Sequence, residues 1–515
     1  MRKWAPLTAV CLGAFMLLVD VTIVTVALPD IAADTHTGFA DLQWVMDVYA
    51  LALAALLLGA GSLADRVGRR RVYTAGLVVF ALASLACGLA TGPATLIGFR
   101  AVQGIGGAAM FATTMALLSA TYQGRDRAVA FGVWGAVNGA AAAAGPVLGG
   151  LLTEHAGWRW IFFVNVPLSA LAVLVTQRFV RESKAGRAGR FDPPGLVTFT
   201  LGAAALTYGL IRVAEDGWTG TLPLLCFGVA LAAFAAFIRV EATSAHPMVD
   251  LTLFRSPVFS GIMAASLLLS GAAFSYLLYV SLWLQSARGL GPVSAGLVLL
   301  PLSLAAFAVS AAAGRFLHGR SPRPVIGTGL LLIGVGAALQ ALLLDPGDGG
   351  LALLPGLVLT GLGVGAATPL LASVAMGAVP PTRAGMAGGA LNTARQLGNA
   401  LGIAVLGVVF HSGLEHGLGP AGDLAGPLAS GQGAALTAAR PALATAIDQG
   451  FVTGLRDTFL ASAVLGLLGA LVAFLTLRTP RTPLPTQRTG EGGPAQSQPQ
   501  VDGGTPGGNS SPAGV

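Results

Sequence analysis

The chain has 515 residues, of which 54% are hydrophobic and only 10% are charged. A soluble domain usually carries about 25% charged residues, and a water-soluble core stops growing beyond roughly 250–300 residues. The composition therefore excludes an ordinary soluble protein and favours one that uses lipid as its solvent. The net charge of +7 does not indicate nucleic-acid binding, because the basic residues cluster between apolar runs and no aromatic residues alternate with them.

The first apolar run follows Met1-Arg2-Lys3 and superficially resembles a signal peptide. It is too long for one, contains Asp20 and lacks a clear small-residue cleavage site, so we predict that it is the first membrane helix. Further runs also have the length of about 20 residues that a helix needs to cross a bilayer. The fourteen predicted spans are 7–28, 44–64, 72–91, 95–120, 129–152, 159–179, 195–213, 221–239, 258–284, 291–313, 325–344, 351–376, 387–410 and 457–477.

An even number of spans places both termini on one side of the membrane. With Arg2 and Lys3 in the cytoplasm, most of the 29 lysines and arginines fall in cytoplasmic segments, as the positive-inside rule requires. A missed or additional span would reverse every later loop and spoil this pattern. From about residue 479 the chain is rich in Pro, Gly, Gln, Ser and Thr, so we expect a disordered cytoplasmic tail over 479–515.

The loop after the second span combines glycines with charges in the sequence GSLADRVGRRR, residues 61–71. A shorter version without the acidic residue follows the tenth span at 313–320. The pattern G-x-L-a-D-r-x-G-r-r resembles the loop motif of the major facilitator superfamily. The resemblance implies two six-helix halves that surround a central cavity as parallel repeats, with two additional helices between them.

Four further segments resemble the fourteen-span drug:proton antiporters of that superfamily, which include bacterial antibiotic-resistance exporters. Two departures are mild: Thr25 stands where Asn is usual, and Ala141 replaces the leading Gly of the antiporter motif. The resemblance covers roughly residues 10–478. Its segments are LVDVTIVTVALP (18–29), RAVQGIGG (100–107), GPVLGG (145–150) and GWRWIFFVNVP (157–167).

These observations predict an all-α membrane protein with the major facilitator fold and 14 transmembrane helices. We expect residues 1–180 to form an N-terminal six-helix bundle and 258–478 to form the C-terminal one. Residues 181–257 then hold the two inserted helices with their flanking cytoplasmic loops.

Asp20 lies inside the first predicted span, where a charged side chain costs about 2.5–3.5 kcal/mol on insertion scales and therefore usually faces a cavity or a partner. Counted at 1.5 Å per residue, Asp20 and Arg100 lie within a few ångströms of the same depth. The two can therefore pair, with Gln103 as an intermediary. Such a carboxylate either exchanges a proton against a substrate or forms a static ion pair that holds two helices together.

Asp47 follows Trp44 near the start of the second predicted span. One interpretation is a second site for a proton or a cationic substrate. The other is an acid at the membrane surface, hydrated and beside an aromatic anchor. The sequence alone favours neither.

Two further groups of residues follow from the motifs. The loop motif implies a gate at the cytoplasmic face, although its arginines also serve topology. The fifth-span motif implies a tightly packed, kinked helix that seals the cavity against protons. The alternative for the second motif is ordinary helix packing, because small residues pack helices in many membrane proteins. The gating residues are Gly61, Asp65, Arg66, Gly68 and Arg69, and the antiporter residues are Gly145, Pro146, Gly149 and Gly150.

Polar residues inside other spans are candidates for the wall of the substrate cavity, with structural hydrogen bonding as the alternative. The six histidines show no ligand spacing, and no phosphate-binding loop is present, so we expect no metal site, no cofactor and no ATP-driven pump within this chain. The cavity candidates are Thr22, Gln103, Asn138, Asn392, Arg395 and Gln396.

The resemblance implies a proton-coupled secondary transporter that exports small amphipathic compounds from the cell by alternating access, rather than an enzyme. A symporter for solute uptake and a membrane-embedded sensor or enzyme are the alternatives. We expect a monomer in the cell membrane with both termini in the cytoplasm. Its partners are then the substrate, protons and the lipid bilayer, without nucleic acid.

Overall fold

A computed structural model describes residues 3–35, 38–184, 192–244, 247, 249–316, 321–379 and 384–477. Helices account for all the regular secondary structure in these residues. The expected tail at 479–515 and the second half of the loop-motif echo, residues 317–320, lie outside them. The helices are α1 (Ala5–Thr35), α2 (Phe39–Val67), α3 (Arg69–Gly88), α4 (Pro93–Thr121), α5 (Gly124–Ala156), α6 (Trp160–Phe163), α7 (Asn165–Phe179), α8 (Pro193–Asp216), α9 (Thr221–Thr243), α10 (Pro257–Phe274), α11 (Leu277–Ser286), α12 (Pro292–Phe316), α13 (Pro322–Leu343), α14 (Leu354–Gly377), α15 (Ala384–Leu418), α16 (Ala425–Ala429), α17 (Gly433–Ala439) and α18 (Ala444–Thr476).

The described helices confirm the all-α membrane fold. Within the described residues, 13 helical segments are long and apolar enough to cross a membrane, and each overlaps one predicted span. The remaining predicted span, 129–152, lies inside the 33-residue helix α5.

The predicted ends differ from the observed ones in three places. The run 258–284 is interrupted at Ser275 and Tyr276, so it forms α10 and α11. Helix α15 continues past the apolar run to Leu418, and α18 begins at Ala444 rather than at 457. Hydrophobicity marks only the part of a helix that lies in lipid, and a helix continues beyond it wherever its backbone hydrogen bonds continue.

The long helices belong to one compact unit, in which we distinguish two groups for description. Helices α1 to α7 contact one another, and so do α10 to α15 together with α18. Helices α8 and α9 pack as a pair, and α8 touches both α2 and α15. We call the face with the α1–α2 turn the Gly38 side, and the opposite face with the α2–α3 turn the Gly68 side.

The two groups meet through hydrogen bonds on the Gly38 side. The amide of Gln43 in α2 donates to the hydroxyl of Tyr279 at 3.0 Å and to the carbonyl of Ile403 at 3.2 Å. The amide of Gln285 in α11 donates to the carbonyl of Val26 in α1 at 2.8 Å. The groups are therefore closed against each other at this face.

A segment between α15 and α18, residues 419–443, covers this junction, and we call it the cap segment. Its Ala425, Leu428 and Ala429 are completely buried. Helix α16 within it contacts α2 of the first group and α11 of the second. The cap segment therefore bridges both groups at the Gly38 side.

Candidate functional site

The core of the first helix group contains an ion pair. The guanidinium of Arg100 in α4 donates from one terminal nitrogen to Oδ2 of Asp20 in α1 at 2.6 Å. Both residues are 0% exposed. Asp20 and Arg100, which the residue count placed at similar depths, are thus in direct contact.

Three more polar side chains surround the Asp20 carboxylate. Gln103 accepts a hydrogen bond from Arg100 at 2.7 Å and donates to Oδ1 of Asp20 at 2.9 Å. Asn165 at the start of α7 donates to the same Oδ1 at 3.1 Å. The Ser84 hydroxyl in α3 accepts from Gln103 at 2.7 Å. Four helices thus contribute to one network.

The other face of Arg100 rests on α2. Its Nε donates to the carbonyl of Val45 at 3.1 Å, and its guanidinium carbon lies 4.3 Å from the centre of the Tyr49 ring. The Phe162 ring lies 5.9 Å from the same carbon. Arg100 therefore connects α1, which carries its counter-ion, with α2, which faces the second helix group.

The network joins one buried carboxylate to a guanidinium and two amide donors. Burial keeps bulk water away from both charges. Protonation would cancel the ion pair and leave a positive charge held by Val45, Tyr49 and Gln103. The sequence analysis identified Asp20, Arg100 and Gln103 but missed Ser84, Asn165 and Tyr49. Asn165 could have been identified from the sequence, because it is an amide side chain within the largely apolar segment 157–167.

Asp47 lies on the face of α2 that is turned to the second group. It is 0% exposed, and neither carboxylate oxygen has a hydrogen-bond partner among the described residues. Gln43 bonds to Ile403, and the Thr393 hydroxyl donates to the carbonyl of Ala54 at 3.0 Å. These two contacts show that α2 and α15 run antiparallel, and they place Asp47 at the same height along α15 as residues 399 and 400. The interpretation of Asp47 as a hydrated acid at the surface is therefore wrong.

The predicted polar residues of the thirteenth span form part of one face of α15. Asn392, Arg395 and Gln396 are half-buried. They lie next to Thr393, which contacts α2, and on the Gly68 side of the hydrogen bonds made by Gln43. Their assignment to the wall of a central cavity stays a prediction.

The other cavity candidates lie elsewhere. Thr22 donates to the carbonyls of Leu18 and Val19 in its own helix, and its side chain abuts Gly145 in α5. Gln103 is buried in the network of Asp20. Asn138 in α5 is half-buried.

The glycines of the antiporter motif are divided between two faces of α5. A methyl group at Gly149 would lie 2.7 Å from the carbonyl oxygen of Ile23 in α1. A methyl group at Gly150 would lie 2.6 Å from the carbonyl oxygen of Pro292 in α12, and Pro146 abuts Gly296 of that helix. The motif therefore joins α5 to its own group on one face and to the second group on the other.

The loop motif turns sharply on the Gly68 side. Gly68 has φ of +125°, which favours glycine, and α3 begins at Arg69. Glu182, after α7, accepts hydrogen bonds from the backbone N–H groups of Arg70 at 3.0 Å and Arg71 at 3.2 Å. An anion at these N–H groups is stabilised by the helix dipole.

Two further residues of the loop motif lie in α2, before this turn. Gly61 has Ala112 of α4 nearby, and Arg66 is exposed. The side chain of Asp65 lies outside the described residues, so its gating role stays a prediction. The sequence analysis did not single out Glu182, the acid at the N-terminus of α3.

Comparisons with known proteins agree with this architecture. The sequence profile of the Major Facilitator Superfamily matches residues 10–403. The chain is 39% identical over 415 residues to the multidrug resistance protein Stp of Mycobacterium tuberculosis, which covers 80% of this chain and 77% of that protein. It is 35% identical over 512 residues to the drug efflux pump JefA of the same species, covering 94% and 99%. It is 36% identical over 416 residues to the tetracenomycin C resistance and export protein of Streptomyces glaucescens, covering 80% and 76%.

A solved structure shares the fold at low sequence identity. It is the inward-facing, unoccupied crystal structure of a bacterial homologue of the human lysosomal transporter Spinster, with a TM-score of 0.66 and 19% identity over 92% of this chain and 97% of that one. With the family profile, it confirms the fold and the family that the motifs predicted. The chain belongs to the major facilitator superfamily, whose members transport by alternating access.

Proposed function

We propose that this protein exports small amphipathic compounds, drugs or antibiotics among them, in exchange for protons. The proposal is supported above all by the Asp20 carboxylate, which is completely buried in a membrane helix yet paired with Arg100. Related proteins named for multidrug resistance, drug efflux and tetracenomycin C export support the direction of transport and the class of substrate.

Proton coupling would work through the change in charge of Asp20 when it binds a proton. The ionised carboxylate holds Arg100 between α1 and α4, and a proton releases it. Each proton that enters across 100 mV supplies about 2.3 kcal/mol, enough to drive substantial accumulation gradients. Asp47 is a second candidate for a proton or a cationic substrate, because it lies uncompensated at the boundary that must open.

The positive-inside pattern supports an orientation with both termini and the Gly68 side in the cytoplasm. In this orientation, the hydrogen bonds on the Gly38 side close the transporter to the outside. We assign the protein to the cell membrane as a monomer. The bundles at 1–180 and 258–478 would rock against each other, with Gly61, Asp65, Arg66, Gly68 and Arg69 acting at the cytoplasmic gate.

The first experiment replaces Asp20 with Asn and uses Asp34→Asn as a matched control. Asp34 also lies in α1 and pairs with an arginine, Arg159, but that pair is exposed. Both variants are expressed in an efflux-deficient host and tested against puromycin, ethidium and other amphipathic antibiotics. We expect D20N to reach the membrane but to protect no better than the empty vector, whereas D34N protects like the wild type.

The direction of coupling is measured in inside-out vesicles. Adding an exported compound to acidified vesicles should alkalinise their interior if the protein is an antiporter. Acid entry together with substrate in right-side-out vesicles would instead indicate an uptake symporter. Full proton-coupled efflux by D20N would contradict the role of Asp20.

A further inference from the structure

We infer that Tyr49 is the positioning residue that holds Arg100 when Asp20 is protonated, and that it does so with its ring rather than with its hydroxyl. The inference rests on the proposed role of Asp20 in proton coupling and adds a residue that neither the family motifs nor the comparisons assign.

The contact has the geometry of a cation–π interaction in a site that is shielded from bulk solvent. The guanidinium carbon of Arg100 lies 4.3 Å from the Tyr49 ring centre, well inside the range of about 6 Å for such contacts. Tyr49 is 1% exposed and Arg100 is 0% exposed. Such contacts are strongest when desolvated, as this one is.

The hydroxyl of Tyr49 has no such role. Its oxygen is buried and has no hydrogen-bond partner among the described residues. The nearby Val45 carbonyl already binds Arg100 Nε. The ring is therefore the part of Tyr49 that acts on the guanidinium.

The ring gains importance when Asp20 takes a proton. The guanidinium then loses its counter-ion but remains a cation among membrane helices, where an uncompensated charge is costly. The other titratable groups described near the pair are Tyr49 itself and Cys87 in α3. Neither supplies a negative charge at neutral pH. Without the ring, Arg100 would depend more on the ionised carboxylate, and protonation of Asp20 would require a lower pH.

The experiment compares Tyr49→Phe, which keeps the ring, with Tyr49→Leu, which keeps an apolar side chain without one. The reporter is Gln285→Cys in a variant whose cysteines Cys11, Cys87 and Cys226 are replaced by alanine. Gln285 lies in the junction on the Gly38 side, so a membrane-impermeant maleimide added outside reports its opening. Labelling of the full-length protein is measured between pH 5 and pH 9 without any substrate.

We expect Y49F to keep the pH midpoint of the reporter variant. We expect Y49L to shift the midpoint to lower pH by about one unit, which corresponds to a tenfold higher proton concentration. A purely structural role would reduce the amount of protein without moving the midpoint. Identical midpoints for Y49L and Y49F, with pH dependence abolished by D20N, would overturn this inference alone. If D20N kept the full pH dependence, the proposed function itself would be contradicted.

An independent observation concerns the cap segment, and we propose that it is a lid that separates from α1 and α2 when the Gly38 side opens. It is joined covalently to α15 and α18 of the second group and packs on α11 of that group. The Ser286 hydroxyl in α11 donates to the carbonyl of Gly431 at 3.1 Å. A Cβ at Gly431 would also lie 3.7 Å from Cα of Pro29 in α1.

Two disulfides distinguish the two contacts. In the cysteine-free protein with Gln43→Cys as the reporter, G431C is paired with P29C across the groups or with S286C within the second group. A Cβ at Gly431 would lie 3.6 Å from the hydroxyl oxygen of Ser286 and 3.7 Å from Cα of Pro29, so both partners are near enough for disulfide formation to be tested. Oxidation is followed by labelling from outside, with reduction as the internal control.

We expect the P29C–G431C disulfide to abolish labelling of residue 43 until it is reduced, and the S286C–G431C disulfide to leave labelling unchanged. Unchanged labelling with the disulfide across the groups would show that the cap segment does not separate from α1. Loss of labelling with both disulfides would show that it does not travel with α11. Either result overturns the proposal.

Discussion

Asp47 illustrates what a single buried acid implies for a moving boundary. An ionised carboxylate without hydrogen bonds is costly to bury. Tyr279 of α11 lies within electrostatic reach of Asp47. Along α15, Arg395 lies about one turn away from its level. We therefore propose that protonation of Asp47 favours closure at this boundary.

We predict that Asp47→Asn lowers labelling at Q285C at high pH several-fold below that of the reporter variant, because the amide mimics the protonated acid and favours closure of the Gly38 side. The remaining pH response, which depends on Asp20, should keep its midpoint. Asp41→Asn, near the start of the same helix, serves as the control and should keep the pH response. A D47N profile that follows the reporter variant would contradict this role.

At this scale, the sequence predicted part of the network. Counting residues from the helix ends set Asp20 and Arg100 at one depth, because the rise per residue of a helix is constant. The same count could not identify Tyr49 or Ser84. Both are uncharged residues in apolar spans, and nothing in the sequence shows which neighbouring helix such a side chain faces. The position of Asp47 near the end of a predicted span allowed a hydrated side chain. In the structure, packing of α2 against α15 buries it.

Among the helices, α5 makes two kinds of contact with one motif. Its Gly149 face approaches α1 within the same group, and its Gly150 face approaches α12 of the other group. Residues 145–150 predicted close approach, since glycine is enriched where membrane helices touch. They did not indicate that the two faces serve different groups, which depends on how the groups are arranged.

Replacing Gly150 with Val should therefore affect conformation rather than assembly. Overpacking of a tight contact costs about 1–3 kcal/mol, and a cost of about 1.4 kcal/mol already corresponds to a tenfold change in a population. We expect G150V to reach the membrane in normal amounts, to label at Q285C about tenfold more than its parent and to lose drug protection. Leu148→Val, at an exposed position two residues away, is the control and should behave like the parent.

The matching change on the other face separates the two contacts. Gly149→Val should reduce the amount of folded protein, because α1 and α5 belong to one group and cannot move apart. Normal amounts of G149V together with closed labelling would mean that the face towards α1 is not tightly packed.

For the whole molecule, the sequence predicted the class and the spans but not the assembly. Fourteen apolar runs were readable because lipid requires each span to satisfy its own backbone and to hide its polar groups. The interruption at Ser275 and Tyr276 was not readable, because both halves of that span are equally apolar. The closure at the Gly38 side was also not readable, since one sequence must support both an open and a closed arrangement.

The inserted pair makes the two boundaries between the helix groups unequal. At the boundary of α2 with α15, helix α8 packs against both, with Leu51, Ala203 and Ala400 in one cluster. At the boundary of α5 with α12, apolar residues such as Leu148 and Leu297 are exposed. A compound dissolved in the acyl chains would therefore meet the inserted pair at the α2–α15 boundary, but the helices of the two groups themselves at the α5–α12 boundary.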